Sequence, residues 1–514
     1  MVRRSAVEAA AAGLAAGAVT LGVAEVAAGL YVRVVGTEGT PSVLLAVADS
    51  FVDRTPGWLK DAAIAAFGTG DKVALLVGMG VVLVALSAGL GLLARRRRGP
   101  ALGALVLLCA VALAAVLTRP GAAPGDAVPA VLGGCAGLLV LGSLSPARPA
   151  APARPPSPVG PRRRSVLVAG GSLAVLGVLG ILAGRVLSGA GEVVRAARRA
   201  FVVPSVVSPV TVPAAAEQGV AGQASFRTPN ADFYRIDTAL AVPQVDPDAW
   251  RLRVHGLVER EVQLDLAELL SRPMVETLVT LTCVSNEVGG DLAGTAVWTG
   301  LPVRELLTEA GPLPGADMVL STSADGWTAS TPLEVLTDGR DAVLAVGMNG
   351  ESLPPEHGFP VRLVVPGLYG YVSATKWVVD LEVTRFADAA AYWTTRGWAE
   401  RGPVKTASRI DVPRGGSLPA GTTTVAGVAW AQHRGISGVE VRVDDGEWEP
   451  AELAAEPTVD AWRQWRLAWD ATPGRHTLTV RATDGTGETQ TPAEAPPVPD
   501  GASGWHSVEV EVEG

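Results

Sequence analysis

Residues 275–283 read Val-Glu-Thr-Leu-Val-Thr-Leu-Thr-Cys, and Val-Ser-Asn-Glu-Val-Gly-Gly follows at 284–290. Alternating, β-branched residues over nine positions predict a strand, and the glycines beyond it predict a turn. A single cysteine therefore stands at the end of a strand. The same texture extends on both sides. Strands are expected over 250–258, 262–264, 318–321, 361–365 and 376–383, with short helices at 266–270 and 303–310. Asp325-Gly326 marks a turn, and Asn349-Gly350 the tip of a hairpin. From about Ser205 to Phe386 the pattern thus mixes strands and short helices. A linker is expected over 387–404. Beyond it, residues 405–514 hold only short strands (423–431, 438–443, 462–469, 476–483 and 505–512) parted by Gly, Asp and Pro turns. That pattern predicts an immunoglobulin-like sandwich.

Toward the N-terminus the chain becomes a different object. It has 514 residues, 48% of them hydrophobic and only 18% charged, with three cysteines. This excludes a disordered chain and a disulfide-dense scaffold. The net charge of −9 conceals an asymmetry, since residues 1–200 carry 20 Lys/Arg against 9 Asp/Glu, and the remainder 22 against 42. All five histidines lie after residue 200.

Residues 1–200 are expected to be a membrane anchor of about five transmembrane helices, near 6–31, 73–94, 101–117, 127–144 and 166–187. Glu8 and Glu25 interrupt the first span and are expected near its ends or against other helices. Arginines at 3–4, 95–98 and in the 148–164 loop fall on one side if five helices cross. The N-terminus is then cytoplasmic and everything after the fifth span extracytoplasmic. Arg195, Arg198 and Arg199 fall on the outer side and suggest a short juxtamembrane helix. Ser145–Gly160 is Pro/Ala-rich and reads as a linker. Arg162–Arg164 resembles an internal twin-arginine export signal, and reads equally as a positive-inside loop. With no histidine, this anchor lacks the axial ligands of a b-type haem. Cys109 and Cys135 read as packing residues. The acidic outer half and the absence of any recognition motif argue against nucleic-acid binding.

Two clusters can carry chemistry. Cys283 reads as a buried strand residue, as a nucleophile with His357 as its base, or as one soft metal ligand. The second cluster is His357-Gly-Phe-Pro-Val-Arg362, then Val365-Pro-Gly-Leu-Tyr-Gly-Tyr371, then Ser373-Ala-Thr-Lys376-Trp377. An Arg, a Lys and a glycine turn there suit either an anion site or structural ion pairs.

These residues together resemble the sulfite oxidase family of molybdopterin enzymes, over about residues 220–514. The resemblance rests on Leu281-Thr282-Cys283 before Asn286, the His357–Arg362 run, the Val-Pro-Gly turn and Lys376-Trp377. It implies an α+β molybdopterin-binding domain followed by an immunoglobulin-like dimerisation domain. It implies Cys283 as the protein thiolate on molybdenum, and His357, Arg362, Ser373 and Lys376 as holders of the pterin and its phosphate. Thr322 and the segment Thr228–Arg235, with Asn230, Phe233 and Tyr234, would approach the cofactor. Arg434 would extend from the second domain toward a substrate anion. Departures exist: Phe-Arg-Thr-Pro-Asn replaces an arginine-bearing segment of the oxidases, leaving Arg227 or Arg235 as substitutes. Trp398 stands about where they place a substrate-side tyrosine, with Tyr392 nearby.

The resulting expectation is a membrane-anchored, outward-facing molybdenum oxidoreductase without haem. It would transfer an oxygen atom to or from a small oxyanion or sulfur compound and pass electrons to a separate cytochrome or quinone. The alternatives are a methionine-sulfoxide-type reductase, an envelope binding protein with a decayed molybdenum site, and a Cys283/His357 hydrolase. The relatives that reduce sulfoxides generally lack the second β domain.

Overall fold

The computed structural model describes residues 2–35, 37, 39–56, 71–144, 163–187, 190–207 and 209–514. The expected linker at 145–160, with Arg148 and Arg154, and Arg162 of the arginine run lie outside these residues. The chain divides into two compact units, Met1–Val193 with Ala239–Gln244, and Val194–Thr238 with Val245–Gly514.

The first unit is helical: α1 (Val2–Val34), α2 (Val43–Arg54), α3 (Asp71–Arg96), α4 (Arg98–Leu117), α5 (Ala127–Leu144) and α6 (Arg163–Leu187), with α7 (Ala190–Ala200) running into the second unit. Among the described residues four helical stretches are long and apolar enough to cross a bilayer: Ala6–Val34, Ala74–Arg96, Arg98–Leu117 and Pro124–Leu144. The apolar stretch found in α6, Gly171–Ala183, is shorter. Helix α1 is the hub, packing against α3, α5 and α6. Small residues, here glycines, let these helix backbones approach closely. A Cβ at Gly22 would run into the Gly177 carbonyl of α6, one at Gly91 of α3 into the Ala9 carbonyl, and one at Gly133 of α5 into the Thr20 carbonyl. Glu25 of α1 is buried. Its carboxylate accepts from Ser42 Oγ (2.9 and 3.0 Å) and from the Leu44 amide (3.1 Å), satisfying the start of α2.

Among the described residues the second unit has four sheets. The first has the order β2 (Val262–Asp265), β1 (Arg251–Gly256), β10 (Val378–Thr384), β5 (Met318–Ser323), β6 (Thr328–Pro332). The next has β3 (Val275–Thr282), β4 (Ala293–Pro302), β7 (Val343–Met348) and β8 (Glu351–Ser352), with β9 (Arg362–Val364) also on β7. Helices α8 (Leu266–Leu270), α9 (Val303–Ala310) and α10 (Leu333–Thr337) follow β2, β4 and β6. One core joins the two sheets, with Leu252, Val254 and Leu381 from the first and Leu278, Val297 and Leu344 from the next. Val279, Leu281, Trp298 and Val364 fill a second core on the other face, with Phe233 and Phe359. The β3–β4–β7 sheet is therefore covered on both sides. All ten residues of β4 are buried, which is why it lacks the alternation that marks half-exposed strands.

The last 110 or so residues form two sheets with one core between them. One has the order β11 (Ala407–Val412), β13 (Gly421–Trp430), β17 (Arg463–Ala471), β16 (Glu452–Leu453). The other runs β12 (Gly416–Pro419), β19 (His506–Glu513), β18 (Gly474–Asp484), β14 (Ile436–Val443), β15 (Trp448–Pro450). Val425 and Trp465 from one face meet Val441, Val480 and Val510 from the other.

Candidate active site

Strand β3 delivers Cys283 to the edge of its sheet and the backbone locks it there. The Cys283 amide donates to the Leu292 carbonyl (2.9 Å), and its carbonyl accepts from the Asn286 amide (3.1 Å). Asn286 closes the loop by accepting from the Leu292 amide (2.8 Å). The thiol is buried. Burial pushes its pKa up, against hydrogen bonds from Ser285. An isolated thiol of that kind is a weak nucleophile. It becomes a good donor once a metal takes its proton.

The second cluster forms a buried cationic cradle. His357 ends a 3-10 turn, Pro355–His357. The chain then reverses at Gly358, where φ is 109° and a Cβ would sit 2.9 Å from Arg362 Cβ and 3.2 Å from Lys376 Cα. Only glycine lets the turn lie against both cations. Arg362 donates to the His357 carbonyl (3.2 Å) and the Ala374 carbonyl (3.5 Å), with its guanidinium 4.9 Å from the Trp298 ring centroid. Its Nε is buried with no hydrogen-bond partner. Lys376 Nζ donates to Asp237 Oδ2 (2.8 Å) and the Glu356 carbonyl (3.2 Å). Arg362, Lys376 and His357 are only 5%, 8% and 3% exposed. Burial brings Arg362 down to about 10, and Lys376 to about 8 despite Asp237. Burial, then Arg362 and Lys376, hold His357 down at about 3.

The segment 230–237 closes one side. Phe233 stands edge-on to His357 (5.5 Å) and stacks on Tyr234 (5.3 Å). Tyr234 lies within electrostatic reach of both Cys283 and Arg362, and burial pushes its phenol up. It thus lies near both the thiol and the cradle. Asn230 donates to the Met348 carbonyl (3.2 Å) and accepts from Asn349 (2.8 Å). Its backbone also hydrogen-bonds the His357 ring. Ser373 is fully buried and donates to the Tyr369 carbonyl (2.9 Å), shaping the turn before Lys376. Thr322 pairs with Asp380 and Thr328 inside the first sheet. The preceding residue, Ser321, is the one that reaches the cradle loop, hydrogen-bonding Thr375 at 2.7 Å.

Arg434 is held in place by partners from the second β region and the end of the linker before it. It donates to Asp484 (2.9 Å), the Val404 carbonyl (3.0 Å) and Thr406 (3.0 Å). Burial pushes the Tyr369 hydroxyl up to about 12, and the hydroxyl accepts from the Lys405 amide (3.4 Å). Trp398 packs on Tyr371 (5.8 Å) and Trp393 (6.1 Å). Tyr392 stands edge-on to Trp393 (5.2 Å) beneath the Arg396 guanidinium. The sequence reading missed Trp298 and Ser321 as parts of this region and gave Tyr369 no role. Only Tyr369 carried a signal, within the quoted Val-Pro-Gly-Leu-Tyr run.

A soft donor beside a buried cradle of cations, one with an unused N–H, fits a metal cofactor that ends in a phosphate. The family profile described as "oxidoreductase molybdopterin binding domain" matches residues 239–393. Fold, site and profile define a molybdenum-dependent oxidoreductase that uses molybdopterin. The chain is 31% identical to chicken (Gallus gallus) sulfite oxidase over 323 residues, 53% of this chain and 69% of that protein. It is 30% identical to human mitochondrial sulfite oxidase over 306 residues, 50% of this chain and 55% of that one. The chain belongs to the sulfite oxidase family. Among solved structures, the sulfane dehydrogenase SoxCD from Paracoccus pantotrophus aligns at 25% identity and a TM-score of 0.47, covering 57% of this chain and 82% of that one.

Proposed function

We propose that the chain is a membrane-anchored molybdenum oxidoreductase facing outward, which moves an oxygen atom to or from a small sulfur compound or oxyanion. The observation that carries this reading is the buried Arg362 Nε, which has no hydrogen-bond partner, in a cradle beside Tyr234, whose phenol also feels the Cys283 thiol. The bound cofactor supplies two-electron oxygen-atom transfer. The chain supplies the rest. Arg362, Lys376 and His357 hold the phosphate end, with Asn230, Phe233, Tyr234, Thr322 and Ser373 around the pterin, and Cys283 is the protein's thiolate on molybdenum. His357 stays neutral at pH 7 and offers hydrogen bonds without a third full charge. Arg434 orients the substrate, and Trp398 and Tyr392 form an aromatic wall that excludes water.

The orientation rests on the arginine-bearing loops and on α6 as a fifth span. Its 25 residues cover about 37 Å at 1.5 Å per residue. With no axial histidine in the anchor, electrons leave to a separate cytochrome or quinone. The C-terminal region is read as the immunoglobulin-like dimerisation domain of the family.

The test is elemental analysis of detergent-purified protein, wild type beside Cys283→Ser, followed by assays on sulfite and on sulfoxides. About one molybdenum per chain, with lost metal or an altered molybdenum spectrum in the variant, supports the assignment. Wild-type protein free of molybdenum, from a host that makes the cofactor, overturns it.

A further inference from the structure

The stretch that leads out of the membrane part is built into the wall of the cofactor site. Val194 is 2% exposed and sits in one apolar cluster with Phe233, Trp298, Leu353 and Phe359. Arg198 Nε donates to the Leu353 carbonyl (2.9 Å) and Nη2 to the Ser352 carbonyl (3.1 Å). Ser352 Oγ returns a hydrogen bond to the Arg198 carbonyl (3.2 Å). Phe201 stands edge-on to Phe359 at 5.8 Å. Val203 packs on Gly347, where a Cβ would come within 2.9 Å of it.

Apart from the Phe233 and Trp298 neighbours of Val194, these contacts fall on β7 or on one strip, 351–359, and that strip carries the cradle. It contains the 3-10 turn that aims His357. Its Glu356 carbonyl holds Lys376 Nζ (3.2 Å), and its Pro355 carbonyl holds Trp377 Nε1 (2.9 Å). The matched domain begins at residue 239, so the family profile does not account for this clamp.

We propose that Val194–Val203 is a positioning element of the cofactor site, with Arg198 as its key residue. By pinning the Ser352 and Leu353 carbonyls and buttressing Phe359, it keeps His357 and Lys376 in the arrangement that retains the cofactor's phosphate end. Cofactor retention then depends on the very segment that joins the domain to its anchor. The proposal rests on the cofactor assignment above.

The test compares full-length wild type with Arg198→Ala, Arg198→Lys and a control, Val439→Ala, which opens a cavity in the distant β core. Two readouts are followed: hydrogen exchange of peptides covering 351–359, and the molybdenum-to-protein ratio during timed dialysis. Losing a charge-assisted pair of hydrogen bonds accelerates both in Arg198→Ala by roughly tenfold or more. Arg198→Lys falls between, since an ammonium lacks the fork that spans two carbonyls. Val439→Ala lowers the melting temperature and leaves both readouts at wild-type values. Unchanged exchange in Arg198→Ala overturns the proposal. So does faster exchange with wild-type molybdenum retention, or equal molybdenum loss in Val439→Ala. The exchange readout works without metal, so a wild-type protein lacking molybdenum counts against the cofactor assignment alone.

Discussion

At the scale of single residues, burial decides the chemistry of the cradle. Arg362 lies against Trp298 and under the His357 carbonyl, and Lys376 faces Asp237, so two cations and an imidazole share a dry site. The imidazole yields, staying neutral down to about pH 3. In the unfolded chain its pKa returns to about 6.5. Between these values the unfolded state holds a proton that the folded state lacks. Stability therefore rises with pH through this window and is complete above about 6.5. Acidification below that removes up to about 1.4 kcal/mol per pH unit. Urea unfolding of the cofactor-free protein at pH 7, 6 and 5 is expected to show this loss. His357→Gln removes this contribution, so its midpoint falls less over the same range. An equal fall in both proteins would assign the acid sensitivity to other groups.

At the scale of elements, the site depends on how turns bring strands together. Gly358 has a φ that other residues rarely adopt, and its missing side chain makes room for Arg362 and Lys376. Gly358→Ala adds strain and a clash, and is expected to cost about 2 kcal/mol or more. Calorimetry on the purified protein checks this, and an unchanged melting temperature would show that the turn relaxes freely. The strands differ in how legible they were. Strand β3 was readable because β-branched residues and alternation coincide in Val275–Thr282. Strand β4 was not, because Ala293–Pro302 is buried on both faces and rich in Ala, Gly and Thr. Helix α2, at 12 residues, is too short to register as a span. Helix α7 was anticipated from Arg195, Arg198 and Arg199 alone.

At the scale of the second unit as a whole, the C-terminal sheets act on strand β3, which leads to Cys283. Gln432 donates to the Thr280 carbonyl and to Thr282 Oγ1, both at 2.9 Å. The Trp462 amide donates to Thr280 Oγ1 (2.7 Å), and Arg409 donates to the Gly290 carbonyl (2.7 Å). The strand and loop that present Cys283 are thus held from the second β region. Gln432→Leu leaves buried acceptors on β3 without their donor, an expected loss of about 1–3 kcal/mol. The molybdenum content of the variant is expected to fall with it. Full molybdenum occupancy after the same purification would separate the buttress from the site.

Composition, charge asymmetry and local periodicity determined that this chain joins an apolar, helix-forming part to a β-rich part, with a cysteine at the end of one strand and cations on a later glycine turn. Those signals are local, set by which residues follow one another within a few positions. Only the tertiary structure decided that Trp298 carries the Arg362 guanidinium, that Gln432 and Trp462 brace β3, and that Arg198 grips the strip bearing His357. These contacts join residues from 64 positions apart (Arg362 and Trp298) to 182 apart (Trp462 and Thr280). No periodicity encodes such pairings, because they depend on which faces are buried together once the sheets have packed.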